Sequence, residues 1–140
     1  MPTAEDRKER AVRLLFCGDS GDAVTAAGLI SDDFRFQFME RADSWSVDGK
    51  VVSARLDRAA FLQHGIGATK DMTRDGMHFT VDLVLCDGDY VCIFGESHAL
   101  SNRGETYNNS YCWRMRFSGE LISEFREYCD THHAHMVLFA

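Results

Sequence analysis

The stretch that decides the fold is YNNSYCWRMRFSGELISEFREYCD, which runs from Tyr107 to Asp130. Two runs rich in aromatic and β-branched residues flank the turn Ser118-Gly119-Glu120, and this pattern predicts a β-hairpin. The second run closes on charged residues, namely Arg126, Glu127 and Asp130. Either this strand lies at a solvent-exposed edge, or these groups face something that binds them.

Further elements precede the hairpin. Apolar periodicity predicts helices over 4–16, 21–29 and 57–69, with Asp57 near the N-cap of the third. Strict alternation predicts a strand at 34–39, and 51–54 has the composition of a short strand. Strands are also expected at 77–86, 90–100, 106–117 and 121–130, with turns such as Asp87-Gly88-Asp89 between them. Helices followed by a long, mostly antiparallel meander predict an α+β fold, with the helices packed on one face of a strongly bent sheet.

Composition narrows the function classes. The chain has 140 residues, which is the size of one domain, and we expect a single domain over 1–140. Its 22 acidic and 15 basic residues give a formal charge of −7, which argues against a nucleic-acid or anionic-membrane surface. No apolar run approaches the roughly 20 residues of a membrane span, and the N-terminus lacks a signal-peptide pattern. We therefore expect a cytoplasmic protein.

Four motifs occur in a characteristic order: CDGDY at 86–90, NSY at 109–111, SGELI at 118–122 and REYCD at 126–130. This order resembles the NTF2-like superfamily, and most closely its SnoaL-like, ketosteroid-isomerase-related group. Members of that group carry Asn-x-Tyr, then Asp-Gly-Lys-Ile, then Arg-Glu-Tyr-x-Asp, so the third motif here departs at its turn. The resemblance implies a cone, formed by a curved sheet and closed by helices, that encloses an apolar pocket. It also implies a homodimer formed through the sheet.

The resemblance leaves several functions open, because one fold hosts many chemistries. The first expectation is a cofactor-independent isomerase, cyclase or dehydratase that uses acid/base chemistry on a small hydrophobic substrate. The alternatives are a non-catalytic ligand-binding or dimeric scaffold module, and an enzyme like the epoxide hydrolases of this superfamily. No cofactor and no metal are expected.

Alternation on strand 106–117 places an aromatic set on its inner face, beside one amide. This set supplies the substrate-binding candidates Tyr107, Asn109, Tyr111 and Trp113. A buried amide needs partners or costs about 1–3 kcal/mol. Asn109 could therefore bind a substrate oxygen or a neighbouring side chain, and the sequence favours neither.

Strand 90–100 carries Phe94, Glu96 and His98 on one face, and we expect that face to line the pocket. Epoxide-hydrolase relatives have an Arg and an Asp at this spacing, so their mechanism does not transfer intact. A histidine beside a carboxylate can still act as a general base near neutral pH. His98 and Glu96 are therefore catalytic candidates, with an ion pair at the rim of the sheet as the alternative.

The last strand supplies Asp130, Tyr128 and Arg126. The resemblance places the aspartate of the Arg-Glu-Tyr-x-Asp motif near the pocket, where relatives use it as a general acid or base. Asp130 and Tyr128 are thus catalytic candidates, and Arg126 is a substrate-binding candidate. The alternative is that Asp130 pairs with Arg126 or caps a turn. Neither face of this strand is cleanly apolar, which predicts a bulge or a half-exposed strand.

Histidines elsewhere give weaker signals. Dehydratase-like relatives use a histidine at the start of the strand 77–86, which makes His78 a candidate. Alternation nevertheless puts His78 opposite the apolar face formed by Met77, Phe79, Val81, Leu83 and Leu85, so only a bulge would turn it toward the pocket. The C-terminal His132, His133 and His135 could bind a metal with Cys129, but clustered histidines rarely converge without a helix, and no metal site is predicted.

Overall fold

The computed structural model describes residues 2–41, 43–47 and 50–139. Its first half contains α1 (Ala4–Ser20), α2 (Ala23–Leu29), β1 (Ile30–Phe38), β2 (Ser44–Val47), β3 (Lys50–Ser53), β4 (Arg55–Asp57), α3 (Arg58–Ala60), a π-helical turn (Phe61–Gly65) and α4 (Thr69–Met72). The second half contains β5 (His78–Asp87), β6 (Tyr90–Leu100), β7 (Thr106–Tyr107), β8 (Ser110–Ser118), β9 (Leu121–Cys129), α5 (Thr131–Ala134) and a second π-helical turn (His135–Phe139).

The main sheet has the strand order β4-β1-β9-β8-β6-β5, and β7 pairs with β6. Strands β1 and β9 run parallel, whereas the other described pairs are antiparallel. Strands β2 and β3 form a separate hairpin. The sheet is strongly curved and unclosed, with helices packed against it. The predicted α+β plan with a mostly antiparallel sheet is therefore confirmed.

Helix α1 packs lengthwise on the inner face of the sheet, against β5 and β6. It begins with a capping box, in which Thr3 Oγ1 accepts from the Asp6 amide at 3.1 Å and Asp6 Oδ2 accepts from the Thr3 amide at 3.0 Å. Its buried side includes Leu14 and Leu15. The helix ends at Ser20, four residues later than the sequence pattern predicts, and its C-cap Gly21 has a left-handed φ of 79°.

Bulges set which side chains face inward. In β5 the pairing register shifts between Val81 and Leu83, so Phe79 and Val81 face inward before the bulge, and Val84 and Cys86 do so after it. The prediction that Leu83 and Leu85 continue the inner apolar face is therefore wrong. Because one inserted residue reverses the alternation, they lie on the outer face, 48% and 51% exposed.

Gly95 lets β6 fit beside this bulge. A Cβ added there would clash with the Thr80 carbonyl oxygen, so a larger residue would push β5 away.

The third predicted helix is broken. Asp57 caps it as expected, with its Oδ1 accepting from the Ala60 amide at 2.9 Å, but the chain then makes a π-helical turn and leaves the helix at Ile66. Gly67 has a φ of 77°, a left-handed conformation that interrupts the helix before α4. The segment from the π-helical turn to α4 therefore arches over the inner face of the sheet and leaves a space beneath it.

Among the helices of the described ranges, none has the length and apolar character needed to cross a membrane.

Candidate functional site

A cavity of about 130 Å³ lies between the inner face of the sheet, α1 and the arched segment, and we call it the main cavity. Aromatic and aliphatic side chains form most of its wall. They are Leu15, Phe36, Val52, Leu56, Phe61, Met72, Phe79 and Phe125. The polar side chains of its lining are those of His64, Thr69 and Glu127. Apolar walls with a few oriented polar groups are typical of small-molecule sites.

A smaller space of about 50 Å³, the inner cavity, continues toward the C-terminal π-helical turn. Its lining includes Met77, Tyr107 and Tyr111. Both cavities share four residues, namely Thr69, Met72, Phe79 and Glu127. A ligand that spans the two spaces would therefore pass beside Glu127.

Glu127 faces inward because β9 has a bulge near its start. The register with β8 shifts between Arg116 and Phe117, after which Phe125, Glu127 and Cys129 take the inner positions. Glu127 lies opposite Trp113, and the indole Nε1 donates a hydrogen bond to its Oε1 at 2.8 Å. The predicted bulge in this strand is confirmed.

Burial in these apolar surroundings raises the pKa of Glu127 to about 7, although the hydrogen bond from Trp113 acts in the opposite direction. A carboxyl group whose pKa lies near neutrality can both accept and donate a proton under physiological conditions.

A hydrogen-bonded chain of hydroxyls lies beside Glu127. Asn109 Nδ2 donates to Tyr107 Oη at 2.8 Å, and the two hydroxyls of Tyr107 and Tyr111 are 2.7 Å apart. Tyr111 Oη also lies 3.9 Å from Met77 Sδ, toward which it can donate. A thioether is a weak acceptor, so a ligand oxygen in the inner cavity would be a better partner for Tyr111.

Both tyrosines keep their protons. Burial is the main cause that raises the pKa of Tyr107 and of Tyr111 above the ordinary value for tyrosine. They therefore serve as hydrogen-bond donors and not as bases.

The inner-face prediction for β7 and β8 is confirmed, since Tyr107, Asn109, Tyr111 and Trp113 are all buried. Of the two partners considered for Asn109, the structure has the protein one. Its Nδ2 donates to Tyr107 and to the Asp130 carbonyl, while its Oδ1 accepts from the amides of Ser110 at 2.8 Å and Asp130 at 3.2 Å. These bonds hold the Asn109 side chain between Tyr107 and the end of β9.

The prediction that Phe94, Glu96 and His98 face the pocket is wrong. On β6 the inward residues are Val91, Ile93, Gly95 and Ser97, so the alternate set lies on the outer face and is exposed. His98 Nε2 bonds Thr80 Oγ1 at 2.9 Å, and Glu96 Oε2 accepts a long bond of 3.5 Å from Asn108. Because β6 carries apolar residues on both faces, alternation alone could not decide which face points inward.

The pocket position predicted for Asp130 is also wrong. Asp130 is exposed and caps α5, since its Oδ1 accepts from the amides of His132 at 3.1 Å and His133 at 3.2 Å. The strand ends one residue earlier, at Cys129, so the aspartate has left the sheet. The capping alternative is the correct one.

Arg126 and Tyr128 lie on the outer face of β9, which corrects their predicted position in the pocket. Arg126 Nε bonds Glu124 Oε1 at 2.9 Å, and Arg126 Nη1 lies 3.5 Å from Glu40 Oε1. Tyr128 pairs across the strands with Cys112 on the same face. The bulge in β9 accounts for this face, because the inner positions beyond it belong to Phe125, Glu127 and Cys129.

His78 points away from the cavities, as alternation predicts. Its side chain is 71% exposed, with Nδ1 3.6 Å from Asp19 Oδ1, whereas Met77 is buried and lines the inner cavity. The bulge of β5 lies beyond Val81 and does not turn His78 inward. The position of His78 therefore does not support a substrate-binding role.

In the described part of the chain, no three His, Cys, Asp or Glu side chains converge as metal ligands would. His133 stacks on Tyr107 with ring centroids 5.2 Å apart. Burial, followed by the charge of Glu127, raises the pKa of the Cys129 thiol to about 12, so this thiol stays protonated.

Sequence reasoning missed Glu127 and Thr69. A signal for Glu127 existed, because it shares the parity of Phe125 and Cys129 and is the carboxylate of that set. Glu127 is itself the glutamate of the Arg-Glu-Tyr-x-Asp motif, but the resemblance pointed to the final residue of that motif, Asp130. The sequence contains no comparable signal for Thr69, because the helical pattern over 57–69 does not show the break that separates α4 from the preceding helix.

Neither a protein-family model nor a curated protein sequence matches the chain. Solved structures do match. Bal32a, from a soil-derived mobile gene cassette, superposes with a TM-score of 0.78 at 17% identity, covering 96% of this chain and 98% of that one. A candidate SnoaL-like polyketide cyclase from Jannaschia sp. CCS1 gives 0.74 at 13% identity over 100% and 96% of the two chains.

An NTF2-like protein from Burkholderia thailandensis E264 gives a TM-score of 0.72 at 15% identity, over 93% of this chain and 95% of that one. The chain has the NTF2-like fold. The resemblance read from the motifs is therefore confirmed for the fold. At such identities the likeness to NTF2-like proteins carries no activity with it.

Proposed function

We propose that the protein is a cofactor-independent acid/base enzyme that acts on a small, largely apolar molecule, with Glu127 as the group that moves the proton. One observation carries this proposal. Glu127 is the carboxyl group at the junction of the two cavities, and its pKa is raised to about 7. Groups with such a shift in a concave apolar site are candidates for catalysis.

The geometry suggests how a proton would move. Trp113 occupies Oε1 of Glu127, so the second carboxyl oxygen is available to exchange a proton with a ligand. Proton abstraction from a carbon beside a carbonyl places negative charge on the carbonyl oxygen. Tyr111, at the end of the chain from Asn109 through Tyr107, can donate to that oxygen.

This chemistry is shared by isomerases, cyclases and dehydratases, and the proposal covers that class. The candidate polyketide cyclase among the structural neighbours is compatible with it at the level of fold. An epoxide-hydrolase mechanism would need Asp130, Glu96 and Arg126 at the site. These residues lie outside the cavities, so their positions do not favour that alternative.

Hydrogen–deuterium exchange tests the proposal without knowledge of the natural substrate. Acetophenone and cyclohexanone would be incubated with the protein in deuterated buffer, and loss of the α-proton signals would be followed by NMR. We expect exchange above the buffer rate with at least one ketone, and its loss in Glu127→Gln, because an amide cannot accept the proton. Exchange that Glu127→Gln leaves unchanged, or that never exceeds the buffer rate, contradicts the proposal.

The same experiment addresses the non-catalytic alternative. A binding module would show ketone binding by ligand-detected NMR with no exchange above buffer. Cytoplasmic location and the lack of a nucleic-acid partner stay predictions from composition.

We also propose a homodimer formed through the outer face of the sheet. This face exposes apolar side chains on two adjacent strands, β5 and β6. They are Leu83, Leu85, Tyr90 and Phe94. Large exposed apolar patches mark interaction sites, and we expect a dimer in sedimentation velocity that Phe94→Glu dissociates. A monomeric wild-type protein would contradict the dimer.

A further inference from the structure

Thr69 places an unpartnered hydroxyl at the junction of the two cavities. Its Oγ1 is shielded from solvent and has no hydrogen-bond partner among the described residues. Its carbonyl, by contrast, accepts from Thr73 Oγ1 at 2.7 Å. Buried hydroxyls are nearly always bonded, because an unsatisfied one costs stability. Thr69 lines both cavities together with Glu127, so a ligand there could supply the missing partner.

The size of the main cavity limits that ligand. Its volume is about 130 Å³, and its walls include Phe36, Phe61 and Phe125. An apolar cavity of about 150 Å³ in another protein is known to take one benzene molecule. One six-membered ring therefore fills most of the main cavity, and the inner cavity adds about 50 Å³ for a substituent.

The charge of the lining limits the ligand further. Neither cavity is lined by Lys or Arg among the described residues, and Glu127 is acidic. His64 lies on the π-helical turn, and its side chain is exposed at the wall of the main cavity. An anionic ligand would lose its hydration without gaining a cationic partner, so a neutral ligand is favoured.

We propose that the site takes a neutral one-ring ligand bearing a single carbonyl oxygen, and that the Thr69 hydroxyl binds this oxygen and selects for it. This inference rests on the proposed function, because it names the substrate class of the same site. Thr69 and Tyr111 both line the inner cavity, so an oxygen placed there can accept from both hydroxyls. Glu127 would then face the carbon beside the carbonyl.

The test compares two probes that differ by the oxygen, acetophenone and ethylbenzene. Dissociation constants would be measured by NMR titration for wild type, Thr69→Val and Thr69→Ser. We expect acetophenone to bind about tenfold more weakly to Thr69→Val, which corresponds to one hydrogen bond, while ethylbenzene binding stays unchanged. Thr69→Ser keeps the hydroxyl and should retain wild-type preference.

The melting temperature separates a ligand-binding role from a structural one. Valine has the shape of threonine without the unsatisfied hydroxyl, so Thr69→Val should melt at or above the wild-type temperature. Equal weakening for both probes, a lowered melting temperature, or no effect on acetophenone would each overturn the inference. So would a wild-type protein that binds neither probe.

Failure of the proposed function remains distinguishable from failure of this inference. Suppose that Thr69→Val weakens the binding of acetophenone alone, and that no exchange above the buffer rate depends on Glu127. The proposed ligand class is then supported and the acid/base role is contradicted. If exchange depends on Glu127 while Thr69→Val binds both probes as wild type does, the acid/base role is supported and the role of Thr69 is contradicted.

Discussion

Two glutamates on β9, three residues apart, lie on opposite faces of the same sheet. Glu124 faces outward, where its Oε1 bonds Arg114 Nη2 at 2.7 Å and Arg126 Nε at 2.9 Å. Partial burial raises the pKa of Glu124, but the hydrogen bonds and charges of the two arginines outweigh this and lower it overall. Glu127 faces the cavities, and burial raises its pKa to about 7.

The comparison shows that environment, not residue type, gives a carboxyl group its chemistry. Glu124 stays ionised and binds the guanidinium groups of Arg114 and Arg126 on the outer face of the sheet. Glu127 has Trp113 as its hydrogen-bond donor, and no Lys or Arg lines the cavities among the described residues, so it can change its protonation near neutral pH.

The largest expected effect is on catalysis. Glu127→Gln should lower the rate of α-proton exchange by about 10²–10⁴-fold, because general acid–base groups contribute that much. Glu124→Gln makes the same chemical change on the opposite face and should leave the rate within about twofold of wild type. If both variants lose activity equally, the difference between the two faces has no catalytic meaning.

The second prediction concerns stability against pH. The folded-state pKa of Glu127 lies above its unfolded value of 4.5, so the folded protein holds this proton more tightly. Its ionisation therefore costs stability as the pH rises from 4.5 to about 7, and the cost levels off above that. Glu127→Gln should gain about 3 kcal/mol relative to wild type between pH 4 and pH 8, measured by urea unfolding.

Glu124 should show the opposite sign. Because its pKa is lowered in the fold, it contributes stability above its unfolded pKa and loses that contribution as the pH falls. Glu124→Gln should thus destabilise at pH 7 by about 0.2–1 kcal/mol, and less at pH 4. The same pH dependence of stability for the Glu127 and Glu124 variants would contradict the opposite pKa shifts of these two residues.

The third prediction concerns the tyrosine chain. Tyr107→Phe removes the hydroxyl that bonds both Asn109 and Tyr111, so it should destabilise by about 1–3 kcal/mol. Tyr90→Phe, on the outer face, should change stability by less than about 0.5 kcal/mol. Both are measured by urea unfolding at pH 7. A Tyr107→Phe protein as stable as wild type would show that the chain is not formed.

A small effect is also expected at the N-cap of α5. Asp130→Ala should cost about 1 kcal/mol because α5 loses its N-cap, and Asp130→Asn should cost little because asparagine caps equally well. Thermal unfolding measures both. A change in acetophenone affinity with no change in stability would instead indicate that Asp130 contacts the ligand.

Local patterns predicted most of the fold. Strand β6 has the predicted ends, and the alternation of β8 placed Tyr111 and Trp113 correctly, because an aromatic face opposite a polar one has one favourable orientation. The capping role of Asp57 was also expected. Each of these features is determined by residues that are close in sequence.

The candidate site depended on features that alternation does not encode. The bulge in β9 fixed the face of Glu127, and the left-handed Gly67 separated α4 from the helix before it and brought Thr69 to the cavities. His98 was assigned to the wrong face because β6 carries apolar residues on both sides. Tertiary packing decided each of these positions.

The most direct test of the account is the pKa of Glu127 itself. Carboxyl ¹³C signals of glutamate-labelled protein would be followed from pH 3 to pH 9, with Glu127 assigned by its absence in Glu127→Gln. The account predicts a signal that titrates near pH 7, while Glu124 titrates below 4.5. A Glu127 signal that titrates near 4.5 would mean that the carboxyl group is solvated, and the proposed acid/base role would be contradicted.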